Sequence, residues 1–148
     1  MVLLNEIVKK LDNEFAIHSF GKDAAFSRFI PSVYENQFDW QSEFEEEFCE
    51  LFNGLMIKGS SQVGAVFLAV FPTDDVLQRF FHESNEGDLL FMHHPLLMEC
   101  GDPNGEWGRG FVPIKEEFIK QIKEKNLSVY TCHIPMDYHH QLGTSVAI

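Results

Sequence analysis

Apolar and polar positions follow two different periods along this chain, and the change of period divides it. In residues 2–15 the apolar positions Leu3, Leu4, Ile7, Val8 and Leu11 recur at three- and four-residue steps, which predicts a helix with one buried stripe. Residues 17–40 mix aromatics with Gly21, Pro31 and polar side chains, and no period assigns them an element. From Ser42 to Phe52 the set Phe44, Phe48, Leu51 and Phe52 predicts a second helix, with Asn53-Gly54 as its stop.

Further on, the pattern turns to short apolar runs. VGAVFLAVF (63–71) reads as a strand closed by Pro72. Thr73 then caps a helix predicted over 74–85, with Asp74 and Asp75 in its first turn suiting the positive end of the helix dipole. DLLFM (88–92) is a second strand. Gly101, Gly105, Gly108 and Gly110 mark a loop over 99–112, expected to be mobile and to lie as a lid over the strand edge. Pro113 is placed to open a helix in which Ile114, Phe118 and Ile122 share a face, and Lys120, Lys123 and Lys125 suit its C-terminal end. SVYTC (128–132) is the third strand. The order β-α-β-α-β predicts an α/β fold, with a mainly parallel, buried sheet, helices packed on it and additional N-terminal helices.

Composition adds bounds. Of 148 residues 45% are hydrophobic and 23% charged, ordinary for a soluble domain, and 15 phenylalanines predict an aromatic core. No apolar run approaches the roughly 20 residues of a membrane span. The opening MVLLNEIVKKLDNEF mixes charges into its apolar residues, unlike a signal peptide. Three cysteines without metal-type spacing fit a reducing, cytoplasmic setting. Net charge is −12, from 11 basic and 23 acidic residues. That excess argues against nucleic acid or an anionic membrane as partner, because gripping phosphates needs a basic face, and it suits a cationic ligand such as a metal ion.

The chemistry concentrates at two strand ends. In LLFMHHPLL (89–97) and CHIPMD (132–137), histidines follow the second and third predicted strands. Parallel neighbours joined by a crossover helix bring their carboxyl ends to one edge, where open α/β sheets place ligands. Adjacent strand residues point to opposite faces, so His93 and His94 can share a site only if the backbone turns there; Pro95 cannot continue the ladder. His93, His94 and Asp137, four residues beyond His133, form a candidate open metal site for Zn, Fe or Mn. The structural alternatives are specific. His18 and His82 read as ordinary hydrogen-bonded histidines, and His139-His140 in DYHHQLG as part of a solvated loop. Cys132 reads as a small buried hydrophobe rather than a nucleophile.

GDLLFMHHPLL, followed by a helix, SVYTCHIPMD and Gly143, resembles the Nif-three-like dinuclear-metal family, whose members are often called GTP cyclohydrolase type 2 homologues. FNGLMIKG (52–59) is similar to the family's stretch before its first strand, without the usual Trp-Asp pair. The resemblance covers 51–148, which makes 1–148 one domain with a matching core and a divergent N-terminal helical extension over 1–50. It implies up to two divalent ions, with His93, His94 and Asp137 as ligands, His133 beside them in proton transfer or substrate contact, and a homo-oligomer. The family's closing histidine and glutamate have no counterpart before Ile148, so a shortened member, a fragment, ligands from another chain, or local substitution by His139 or His140 are the expectations. The function that follows is metal-dependent hydrolysis of a small molecule; the rival is a non-catalytic metal-binding or regulatory protein keeping a partial site.

Overall fold

The computed structural model describes residues 1–98 and 110–146. In chain order its elements are β1 (Val2–Leu3), α1 (Leu4–Glu14), α2 (Ile17–Phe20), α3 (Phe26–Tyr34), α4 (Trp40–Glu43), α5 (Glu46–Leu51), β2 (Gly54–Ile57), β3 (Gln62–Val63), β4 (Val66–Ala69), α6 (Asp74–Glu83), β5 (Leu89–Met92), β6 (Leu97–Met98), β7 (Phe111–Val112), α7 (Glu116–Glu124), β8 (Ser128–Thr131) and α8 (Ile134–Asp137). The expected lid over 99–112 lies largely outside the described residues; its end, β7, pairs with β6.

The central sheet has the order β2-β8-β5-β4. β4, β5 and β8 are parallel, as the β-α-β-α-β period predicts, and β5 and β8 are neighbours. FNGLMIKG does not merely precede the sheet: it contains β2, which pairs antiparallel with β8. Alternation along β5 and β8 sends Leu90, Met92 and Val129 into a core shared with α3, α6 and α7, and Leu89, Phe91, Tyr130 and Cys132 towards α1 and α2. Each fully buried Leu, Phe or Ile side chain stabilises the fold by about 1.5–3 kcal/mol relative to exposure. On the edge strand β4, Phe67 and Ala69 pack on the first core, whereas Val66 and Leu68 stay exposed.

Several boundaries differ from the periodicity. The run expected as one strand over 63–71 is divided: Val63 belongs to β3, which pairs antiparallel with β1, and only β4, ending at Ala69, enters the central sheet. The helix expected over 42–52 is two short ones, α4 and α5. Phe44 between them is extended (ψ 157°), and the Glu45 N–H donates to the Met56 carbonyl at 2.9 Å. That break drops Phe44 among the rings of Tyr34, Trp40 and Phe48, a gain in burial that a continuous helix would forgo. α5 ends on Phe52 in the left-handed region (φ 60°), so the stop comes one residue before Asn53-Gly54 and Asn53 is released for another task. α7 begins at Glu116 rather than at Pro113, because the Ile114 N–H is committed to the Tyr34 hydroxyl at 3.0 Å. The cap on α6 is as expected, with Thr73 Oγ1 accepting from the Val76 N–H at 3.2 Å.

Tyr34 links the fold to its strand edge. Its hydroxyl, fully buried, donates to the Pro95 carbonyl at 3.0 Å and accepts from Ile114, tying the segment after His94 to the start of α7. Tyr34→Phe keeps the ring but leaves a buried N–H and a buried C=O without this partner. The expected loss is about 1–3 kcal/mol in chemical denaturation; an unchanged midpoint would show that the hydroxyl is dispensable.

Candidate metal centre

The register of β5 on β8 builds the site. Met92 pairs with Thr131, and the Cys132 N–H donates to the Met92 carbonyl at 3.0 Å, so both chains leave the sheet at the same level. His93 and His94 still bond back to β4, through N–H donation to the Ala69 and Val70 carbonyls at 3.2 and 3.0 Å. The backbone leaves regular strand geometry there, and the two imidazoles lie together with centroids 4.6 Å apart. His133 completes the group at 5.3 Å from His93 and 4.9 Å from His94. One ring nitrogen from each of the three lies within 4.8 Å of the others, a group that could hold a metal ion.

Asp137 sits one turn after His133, on α8. Its Oδ1 is 3.3 Å from His93 Nε2 and its Oδ2 is 3.9 Å from His133 Nε2. Thr144 Oγ1 donates to Asp137 Oδ1. That contact depends on Gly143: a Cβ there would stand 2.3 Å from the His139 carbonyl oxygen and 3.0 Å from that of Met136, so only glycine lets the loop fold back.

The imidazoles are anchored from behind. His93 Nδ1 donates to the Cys132 carbonyl at 2.8 Å. His133 Nδ1 donates to Asp23 Oδ2 at 3.0 Å, and its backbone N–H to Asn53 Oδ1 at 2.7 Å. Since a carbonyl and an ionised carboxylate can only accept, both Nδ1 atoms carry the proton and, in the neutral rings, both Nε2 lone pairs face the site. His94 differs. Its Nδ1 is buried with no hydrogen-bond partner among the described residues, and its ring packs against Phe26 and Phe71. Burial, with smaller contributions from His93 and His133, lowers its pKa to about 4, so it is held neutral.

Asp23 is the residue that periodicity could not find. It lies in the unassigned stretch 17–40 and is 3% exposed. Its Oδ1 accepts from the Ala25 and Phe26 N–H groups at 3.0 and 2.8 Å, which starts α3, and Asn53 Nδ2 donates to its Oδ2 at 3.2 Å. Burial alone would raise its pKa, but the hydrogen bonds from His133, Phe26 and Asn53 outweigh that and leave it below the ordinary carboxylate value. The only available sequence signal was an Asp three residues before the first apolar position of a helix, a cap pattern.

Other expectations resolve differently. His139 is not in a solvated loop: it is 9% exposed, with Nε2 on Glu14 Oε1 at 2.9 Å and Nδ1 accepting from the Gln141 and Leu142 N–H groups. Both nitrogens are used in holding the chain end over α1, so it is no substitute ligand. Cys132 is fully buried, and burial pushes its thiol pKa well up, as for an inert hydrophobe. His18 pairs with Glu47 at 2.8 Å. With Asp12 these two make a second group of potential metal ligands, but His18 and Glu47 are 60% exposed and already satisfy each other. Among the described residues no helix is long and apolar enough to cross a membrane.

Over 103 residues the chain is 32% identical to a GTP cyclohydrolase 1 type 2 homolog of Archaeoglobus fulgidus, covering 65% of this chain and 36% of that protein. A protein of the same name from Pyrococcus abyssi is 27% identical over 99 residues, covering 65% and 35%. The fold matches TTHA1606 of Thermus thermophilus with a TM-score of 0.57 at 21% identity, over 96% of this chain and 44% of that one. It also matches the protein ybgI, of unknown function, with a TM-score of 0.59 at 14% identity, over 98% and 44%. The chain thus spans about a third of the length of the curated relatives it matches. The family model for Duf34/NIF3 (NGG1p interacting factor 3) matches residues 40–148, which include both histidine-bearing strand ends, and the chain belongs to that family.

Proposed function

We propose that this chain binds divalent metal and uses it to hydrolyse a small molecule. One observation carries the reading: His93 Nε2 and His133 Nε2, both fixed as acceptors by their Nδ1 anchors, converge on the Asp137 carboxylate. Two lone pairs and a carboxylate facing one another repel unless a cation or protons lie between them. The donor set fits a borderline divalent ion such as Zn, Fe or Mn, and the unpartnered buried nitrogen of His94 is the kind of exception that a ligand would explain.

In this reading His93, His94 and Asp137 hold the metal, in one or two sites, and His133 handles protons. A divalent ion, when bound, brings the pKa of water towards neutrality and polarises the bond under attack. His133 Nε2, exposed to the same space, accepts the proton of the attacking water and returns it to the leaving group. Phe26 and Phe71, packed around His94, keep bulk water from the back of the site and strengthen its electrostatics. The relatives' name supplies the first substrate to try, GTP, whose ring opening is also attack by water.

Elemental analysis of untagged protein purified without chelator tests the first half. The parent is expected to retain one to two divalent ions per chain, and His93→Ala and Asp137→Ala to lose them. His139→Ala serves as control: it should lower stability by about 1–3 kcal/mol through its lost hydrogen bonds while keeping the metal. A metal-free parent with unchanged variants would end the metal reading. For the second half, the loaded parent is incubated with GTP and a panel of small esters, amides and phosphoesters. Turnover that falls at least a hundredfold in His133→Ala is expected from the loss of a proton-transfer group. Metal retained without any turnover would favour the non-catalytic binding protein.

A further inference from the structure

We propose that Asp23 is a positioning residue for His133, and that residues N-terminal to the family-matched part of the chain thereby fix which ring nitrogen of His133 carries its proton. The inference rests on the reading of His133 as the proton-transfer group. Residues 40–148 match the family, and Asp23 lies outside them, at the head of α3. From there it reaches a histidine more than a hundred residues away, with its side chain entirely shielded from solvent.

The carboxylate divides its work. Oδ1 is taken up by two backbone N–H groups that start α3. Oδ2 faces the site and receives His133 Nδ1–H and Asn53 Nδ2. Asn53 in turn accepts the His133 backbone N–H, so ring and backbone of one residue are held from the same two side chains. Phe26, three residues after Asp23, stacks on the His133 ring with centroids 4.0 Å apart, which fixes the ring plane. The neutral imidazole can then carry its proton only at Nδ1, and Nε2 is left as an acceptor facing Asp137 Oδ2. Without Asp23, the nearest carboxylate to the ring is Asp137, on the opposite nitrogen. The proton would move to Nε2, and the ring would present a donor where the chemistry needs an acceptor. This is the orienting role of the aspartate in a Ser-His-Asp triad, where the wrong tautomer suppresses catalysis with the geometry intact. The carboxylate found beside Asn53 comes from this N-terminal segment.

The discriminating variant is Asp23→Ser, since a serine hydroxyl can still cap α3 but offers no second oxygen to His133. Nitrogen-15 NMR of the His133 ring in metal-free protein reads the tautomer directly. The parent should show the proton on Nδ1. Asp23→Ser should shift the Nδ1-H to Nε2-H ratio by roughly tenfold or more, the scale of a hydrogen bond to a charged group. Phe26→Leu loosens the same corner without touching the carboxylate and should leave the ratio within about twofold. A parent ring protonated at Nε2 would overturn the proposal without any variant, as would an Asp23→Ser ratio no different from that of Phe26→Leu. Because the measurement uses no metal and no substrate, a protein that binds no metal would defeat the hydrolase reading and leave this result standing. A bound metal with an indifferent tautomer would do the reverse.

Discussion

Everything at the carboxyl edge depends on the parallel ladder between β5 and β8. Its register pairs Met92 with Thr131, so the next residues of both strands, His93 and Cys132-His133, emerge together. A slip of one residue would send every side chain of one strand to the opposite face and separate the imidazoles. The core makes that slip costly. Leu90, Met92 and Val129 are buried against one helical layer, and Leu89, Phe91 and Tyr130 against the other. Both faces of these strands are apolar and covered, as buried parallel strands require, so site geometry and core packing are specified by the same residues.

Within that frame the three imidazoles are made unequal by their surroundings. His93 and His133 each have a polar anchor at Nδ1 and an open Nε2, while His94 is wedged among aromatic rings with a nitrogen left unpaired. Desolvation holds His94 neutral, because the charged form would lose its hydration with little in return. The cluster thus sets one neutral, desolvated imidazole beside two whose Nδ1 anchors leave Nε2 turned towards Asp137.

What the sequence shows plainly is what local periodicity encodes. LLFM and SVYT alternate into buried strands, Thr73 caps α6, and the βαβ order sends His93, His94 and His133 to one edge; each is decided by a few neighbouring residues. Where long-range bonds compete with local preference, the pattern misleads. Glu45 gives its N–H to Met56 and splits a helix, Ile114 gives its own to Tyr34 and delays another, and His139 is buried by Glu14 from across the chain. Asp23 was hidden for the same reason. A helix cap is legible locally, but a contact with His133 over more than a hundred residues is not.

The N-terminal residues therefore do more than extend a family core. Leu4 and Ile17 are buried against Leu89, Phe91 and Tyr130, so α1 and α2 close a sheet face that would otherwise lie open. Tyr130 also donates its hydroxyl to Asp12 on α1 at 2.7 Å, tying β8 to that helix just before His133. α3 inserts Phe26, Ile30 and Tyr34 into the other core, and the packing that buries Phe26 also brings Asp23 to His133. The segment that seals the hydrophobic faces and the segment that orients the imidazole are continuous. A change at the start of α3 that displaces the Asp23 carboxylate will register at His133 as well as in stability, because the same side chain caps the helix and meets the imidazole.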